Sequence, residues 1–271
     1  MRLAFLSDLH IDRNPAMQVT DYLHACLSFC EREEIDMFVL GGDISNAYQL
    51  TQQFVRDLEQ LAGIPVFYIP GNHDFWQKKD EAKHTWDIYE RYVQDQHSLL
   101  KQPITLNEEW ALVGHPAWYN YAVYNRARFT LAEIERGRFK LATWQDRLRL
   151  DFRQSDPEVS QYFKEELTTD IQKVHDKQII LVNHMVTIPE FTVPMPHRAF
   201  DYFNAFIATD DLDDLFVKYA IAYNFMGHVH FRGELQKKDT LYVANSLGYP
   251  KEWRKGSLLA DIKDAAYIIE L

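Results

Sequence analysis

Five short apolar runs in this chain stop on the same kinds of side chain: a carboxylate, an amide or an imidazole. Residues 3–6 lead into Ser7, Asp8, Leu9 and His10, and residues 37–40 into Gly41, Gly42 and Asp43. Residues 66–69 lead into Pro70, Gly71, Asn72, His73 and Asp74. Residues 179–182 lead into Asn183 and His184, and residues 222–226 into Gly227, His228, Val229 and His230. Runs this brief, β-branched or aromatic and bounded by Gly or Pro, predict buried strands. Residues 111–113, 241–244 and 266–269 have the same character. Between the runs, apolar residues recur at helical spacing: Val19, Leu23, Cys26, Leu27 and Cys30, then Leu50, Phe54, Leu58 and Leu61, then Val159, Phe163, Leu167, Ile171 and Val174. The third pattern has Asp156 as its expected N-cap and Pro157 at the first helical position. Strands alternating with helices predict an α/β domain. Ligands of such domains bind beyond the carboxyl ends of the strands, so the residues that close the five runs are the first candidates for a site.

Size and charge narrow the possibilities. The chain has 271 residues, enough to bury a core without covalent staples, and residues 1–271 read as one domain. Its two cysteines, Cys26 and Cys30, share a helix face with Cβ atoms about 5–6 Å apart. A disulfide wants roughly 3.8 Å, so both are expected as buried thiols. Scarce cysteine fits a reducing cytosol, and Met1 and Arg2 lead straight into the first apolar run with no secretory pattern; a cytoplasmic location is expected. No apolar stretch approaches the ~20 residues of a membrane span. The formal net charge of −11 disfavours long nucleic acid and anionic membrane as partners. An anionic substrate would need a locally positive site.

The five clusters have a common physical reading. In an extended segment residues i and i+2 point to one side, so Asp8 with His10, and His228 with His230, can reach one place together. Glycine before Asp43, Asn72 and His228 allows tight turns and close backbone approach. Oxygen and imidazole donors without thiolate suit Mn, Fe or Zn.

The order of these clusters, from Asp8 to His230, resembles the calcineurin-like metallophosphoesterase superfamily. The resemblance implies a metallophosphatase-type four-layer sandwich, two mixed β-sheets flanked by helices. It implies two metal ions: one held by Asp8, His10, Asp43 and His230, the other by Asp43, Asn72, His184 and His228, with Asp43 bridging. It further implies that His73 faces the substrate without binding metal, and that Asp74 orients His73. The activity implied is hydrolysis of a small phosphomonoester or phosphodiester by a metal-bridging hydroxide, with His73 donating a proton to the leaving group. Two other readings stand beside it: a nuclease for short or single-stranded nucleic acid, and a non-catalytic metal-binding scaffold. Every ligand position carries a competent side chain, which weighs against the scaffold.

Residues 117–155 differ from the rest. They hold eight basic residues (Arg126, Arg128, Arg136, Arg138, Lys140, Arg147, Arg149, Arg153) against four acidic ones (Glu133, Glu135, Asp146, Asp151). A helical, aromatic and basic cap-like insertion is expected, either a substrate cap or a hairpin with a solvated charged face. Trp118, Tyr119 and Asn120 are the candidates for the rim of the site. His24, His84, His97 and His175 fall in helical patterns and read as surface or boundary residues. His115 could approach the site, and His197 with Arg198 lies in a proline-rich loop.

Overall fold

The computed structural model describes residues 1–76 and 82–271. In chain order its elements are β1 (Arg2–Leu6), α1 (Val19–Arg32), β2 (Met37–Leu40), α2 (Tyr48–Ala62), β3 (Val66–Tyr68), α3 (Thr85–Val93), β4 (Ile104–Thr105) and β5 (Trp110–His115). There follow α4 (Leu131–Ile134), β6 (Arg138–Phe139), β7 (Ala142–Thr143), α5 (Asp146–Arg149), α6 (Asp156–Lys173), β8 (Gln178–Asn183), α7 (Phe200–Phe203) and α8 (Asp213–Lys218). The chain closes with β9 (Ile221–Met226), β10 (Arg232–Lys237), β11 (Thr240–Asn245), α9 (Leu258–Ala265) and β12 (Tyr267–Glu270).

The strands form two large mixed sheets, ordered β12-β1-β2-β3 and β10-β11-β9-β8-β5-β4. In the first, β1, β2 and β3 are parallel and β12 is antiparallel at the edge. In the second, β5, β8, β9 and β11 are parallel, with β4 and β10 as antiparallel edges. Alternate residues of β1 explain the layering. Leu3 and Phe5 face the second sheet and pack with Val39, Ile180, Val182, Phe225 and Val243; the Phe5 and Phe225 rings stack at 3.8 Å. Ala4 and Leu6 face the other way, into the core that holds the buried stripes of α1 and α2. The outward residues of β5 and β8, such as Val113 and Leu181, belong with Val159, Phe163, Leu167 and Ile171 of α6. The result is the expected four-layer sandwich with helices outside both sheets.

The eight apolar runs each contain or overlap a strand, and the three helical patterns correspond to α1, α2 and α6. Cys26 and Cys30 are free and buried. Some local expectations need correction. The N-cap of α6 is Ser155, not Asp156: Ser155 and Glu158 form a capping box, with the Ser155 N–H donating to Glu158 at 2.8 Å. His97 is not a helical surface residue. It follows α3, is buried, and sits between Asp95 (3.0 Å) and Glu59 (2.8 Å). Residues 117–155 are not a helical hairpin either. They hold two single-turn helices, α4 and α5, around the small β6–β7 hairpin. Among the described residues no helix is long and apolar enough to cross a membrane.

Candidate metal centre

The sheets meet where β1 ends. Ser7 pairs with Ser246 beyond β11, and their hydroxyls donate to Asp8 Oδ2 at 2.6 and 2.7 Å. The turns after β1 and β2 are bonded to each other, Asp8 N–H to Gly42 O (2.9 Å) and His10 N–H to Asp43 O (3.0 Å). The turns after β8 and β9 are joined in the same way, Gly227 N–H to His184 O (3.0 Å). Asp8, His10, Asp43, His228 and His230 all take left-handed backbone conformations, with φ between 45° and 71°. That region costs a non-glycine residue of order 1 kcal/mol. Its concentration here means that the surrounding bonds fix where these side chains point. Gly71 serves the same end: a Cβ there would lie 2.3 Å from Asp43 Oδ1.

Three of the histidines at the centre have one ring nitrogen occupied and the other aimed inward. His184 Nδ1 meets the Gly41 carbonyl at 2.9 Å, leaving Nε2 at 3.3 Å from Asp43 Oδ1 and 3.2 Å from Asn72 Oδ1. His228 Nε2 meets the Phe206 carbonyl at 3.0 Å, leaving Nδ1 at 3.0 Å from Asn72 Oδ1. His230 Nδ1 meets Glu252 at 2.9 Å, leaving Nε2 at 3.4 Å from Asp8 Oδ1 and 3.0 Å from His10 Nε2. A carbonyl or carboxylate partner fixes an N–H on the occupied nitrogen, so the inward nitrogen of a neutral ring carries a lone pair. Asp43 offers Oδ1 to the His184 side and Oδ2 toward His10 (3.8 Å) and His73 (3.9 Å).

Three groups have ligand atoms within 4.8 Å of one another: Asp8, His10 and His230; His10, Asp43 and His73; and Asp43, His184 and His228. The donors fit hard or borderline cations. Lone pairs as close as His10 Nε2 and His230 Nε2 repel unless a proton or cation lies between them. The proton energetics agree. Burial disfavours charge on His184, but Asp43 and its hydrogen bond outweigh that and raise the imidazole to about 9. Burial likewise opposes charge on His230, yet Asp8 and Glu252 raise it to about 10. Burial, followed by the charge on His184, lowers His228 to about 4. This concentration of acid and imidazole calls for positive charge.

The Asn72 amide has a fixed orientation. Its Nδ2 donates to both oxygens of Asp146, at 2.9 and 3.1 Å. An ionised carboxylate only accepts, so the amide nitrogen must face Asp146 and Oδ1 must face the centre. Asp146 is buried and also accepts from Trp76 Nε1 (2.7 Å), Trp144 Nε1 (3.0 Å) and the Tyr119 hydroxyl (3.2 Å). Burial raises its pKa to about 6 despite the bonds from Asn72 and Trp76. The insertion thus reaches the centre through a residue that sequence reasoning missed. A lone Asp in a basic, aromatic stretch gives no signal of its own.

His73 sits at the edge of the centre, stacked on Trp76 at 3.7 Å. Its Nδ1 lies 2.7 Å from Asn46 Oδ1, and Asn46 Nδ2 donates to Asp12. Asn46, rather than Asp74, therefore orients the ring. Asp74 is turned away into the core. It accepts from the Gly71 N–H (2.8 Å), the Ser45 N–H (3.0 Å) and the Thr51 hydroxyl (2.6 Å), tying the turn after β3 to the turn after β2.

The candidate rim residues scatter. Trp118 is fully buried, with Nε1 donating to Asp156 at 2.9 Å, and belongs to the core. Tyr119 is also buried, and its hydroxyl donates to Asp146 rather than facing the centre. Asn120 donates to Asp210 at 2.6 Å. A large indole after a strand packs more readily than it lines a rim. His115 lies outside the three groups, 4.7 Å from the Phe163 ring. His197 caps the backbone N–H groups of Ala199 and Phe200.

A family model described as calcineurin-like phosphoesterase matches residues 1–232. No curated protein matches the chain. Among solved structures, the phosphopantetheinyl hydrolase PptH from Mycobacterium tuberculosis superposes with a TM-score of 0.70 at 17% identity, covering 94% of this chain and 92% of that one. Protein TT1561 of Thermus thermophilus gives 0.53 at 11% identity, with 90% and 88% covered. A dimetal phosphatase from Danio rerio gives 0.51 at 11% identity, with 90% and 86% covered. At these identities the likeness is one of fold.

Proposed function

Since the chain belongs to the calcineurin-like phosphoesterase family, whose members are metal-dependent hydrolases of phosphate esters, we propose that it hydrolyses a small phosphomonoester or phosphodiester at a pair of metal ions. Asp8, His10, Asp43 and His230 would hold one ion, and Asp43, Asn72, His184 and His228 the other. The observation that carries this reading is the division of Asp43, with one oxygen toward each set of inward imidazoles. Mn, Fe and Zn all suit these donors. Bound there, the ions would supply an activated water and positive charge for the phosphate.

The chain's own groups do the rest. Gly41 O, Phe206 O and Glu252 hold the imidazoles in the tautomer that points a lone pair inward. Asp146 holds the Asn72 amide. Asp74 keeps the two turns that carry Asp43 and Asn72 together. His73 Nε2 faces the same space as Asp43 Oδ2. Once protonated it can donate to the leaving oxygen, and its stacking on Trp76 limits rotation away. Burial, helped by the charge of Arg13 and opposed by Asp43, holds His73 below its ordinary pKa. A phosphate arriving opposite it would raise that value.

EDTA treatment is expected to abolish hydrolysis of an aryl phosphate and a bis-aryl phosphate. Added Mn, Fe, Zn or Co should restore it, and the better-restored ester gives the preferred class. Full activity after metal removal verified by elemental analysis would refute the reading.

A further inference from the structure

Beside the metal centre lies a cleft of about 380 Å³ lined by Arg13, Asn14, Pro15, Tyr249, Pro250 and Lys251. It is joined to the centre by the Tyr249 ring, which lies 4.6 Å from both His10 and His230. Two cations flank that ring. Arg13 and Lys251 each place their charge 5.7 Å from its centroid. Both side chains are exposed, and neither forms an ion pair with a carboxylate among the described residues. What sets these two cations apart in a protein of net charge −11 is their place: both border one cleft that abuts the centre through Tyr249.

The backbone that carries them belongs to the loops that build the centre. The Arg13 N–H bonds to the His10 carbonyl at 2.9 Å. Lys251 lies between Tyr249 and Glu252; the Glu252 carboxylate accepts from the Tyr249 N–H at 2.8 Å and meets His230 at 2.9 Å. A ligand held at the centre therefore lies next to this cleft. Near His73, Arg149 lies 5.5 Å from the Trp76 ring on which that imidazole stacks. A third cation thus stands near the centre.

We infer that the Arg13–Tyr249–Lys251 cleft is an anion subsite for a second phosphate of the substrate, which makes the natural substrate a small molecule with two phosphate groups rather than one. The inference rests on the proposed phosphoesterase reading. The guanidinium fork binds two phosphate oxygens, the ammonium a third, and the Tyr249 face keeps both cations beside the path from the centre.

A matched pair of esters tests it: AMP, with one phosphate, and adenosine 3′,5′-bisphosphate, with two. The metal-loaded wild type is expected to favour the bisphosphate in kcat/KM by about tenfold or more, the usual effect of one or two charge-assisted contacts. In Arg13→Gln with Lys251→Gln that ratio should fall toward one, whereas Arg13→Lys with Lys251→Arg should keep most of it. An unselective wild type, or a selectivity that survives the double Gln change, overturns the subsite. Should neither ester be hydrolysed, the aryl phosphate assay decides the phosphoesterase reading separately, and binding decides the subsite alone. Calorimetry with EDTA-treated protein should then show adenosine 3′,5′-bisphosphate binding about tenfold more weakly to the double Gln variant. Equal affinities would overturn it. Both positions are exposed, and matching melting temperatures check that the variants fold.

Discussion

Asp43→Asn is expected to lower kcat/KM for an aryl phosphate by at least about 10³-fold and to leave the purified protein short of metal. The size of the effect follows from where the carboxylate sits. Asp43 is buried, its Oδ1 accepts the His73 N–H at 2.8 Å, and its two oxygens face different imidazoles. An amide keeps the shape but loses the charge and turns one donor toward those imidazoles. Removing one member of a buried charged set costs roughly 3–5 kcal/mol, equivalent to about 10²- to 10⁴-fold in affinity. Two ions sharing the residue would each lose a ligand. Elemental analysis and the aryl phosphate assay read the two effects separately. Near-normal activity with full metal content would remove Asp43 from the bridging position.

His73→Ala is expected to keep the metal and lose catalysis in proportion to leaving-group difficulty. Proton donation by a placed imidazole contributes about 10²- to 10⁴-fold, and the contribution shrinks when the leaving oxygen needs no proton. An alkyl phosphate should therefore suffer by the full factor and a nitrophenyl phosphate by far less. The metal content adds a second discrimination. Ligand atoms of His73, His10 and Asp43 also lie within 4.8 Å, so geometry alone permits His73 to ligate. Its Nδ1 is occupied by Asn46 and its ring is stacked on Trp76, which favours substrate contact. Loss of a metal ion in the variant, or an equal loss of rate for all esters, would contradict proton donation.

Most of the fold and the candidate ligands are legible in the sequence because the ligands follow apolar runs that are themselves strands. Asp8 lies two residues after β1, Asp43 three after β2, and His184 directly after β8. Elements without apolar contrast escape such a reading. β10 is an edge strand reading Arg-Gly-Glu-Leu-Gln-Lys, with alternation too weak to register. The supporting residues escape it for a different reason. Asp146, Asn46 and Glu252 lie 74, 27 and 22 residues from their partners Asn72, His73 and His230, and no local pattern marks any of them. The family resemblance implies that Asp74 orients His73, but the short helical turn over His73–Phe75 turns it instead toward Gly71, Ser45 and Thr51. Its place after a strand suggests that Trp118 lines the rim, yet its bulk packs in the core beside Phe75, Phe152 and Phe163.

The most direct measurement is the count and position of bound metal. Elemental analysis of the purified protein, with anomalous diffraction from manganese-soaked crystals, should give two ions per chain on either side of Asp43. One should lie among Asp8, His10 and His230, and the other among Asn72, His184 and His228. A chain that takes up no metal, or a single ion bound away from Asp43, would contradict the dinuclear centre.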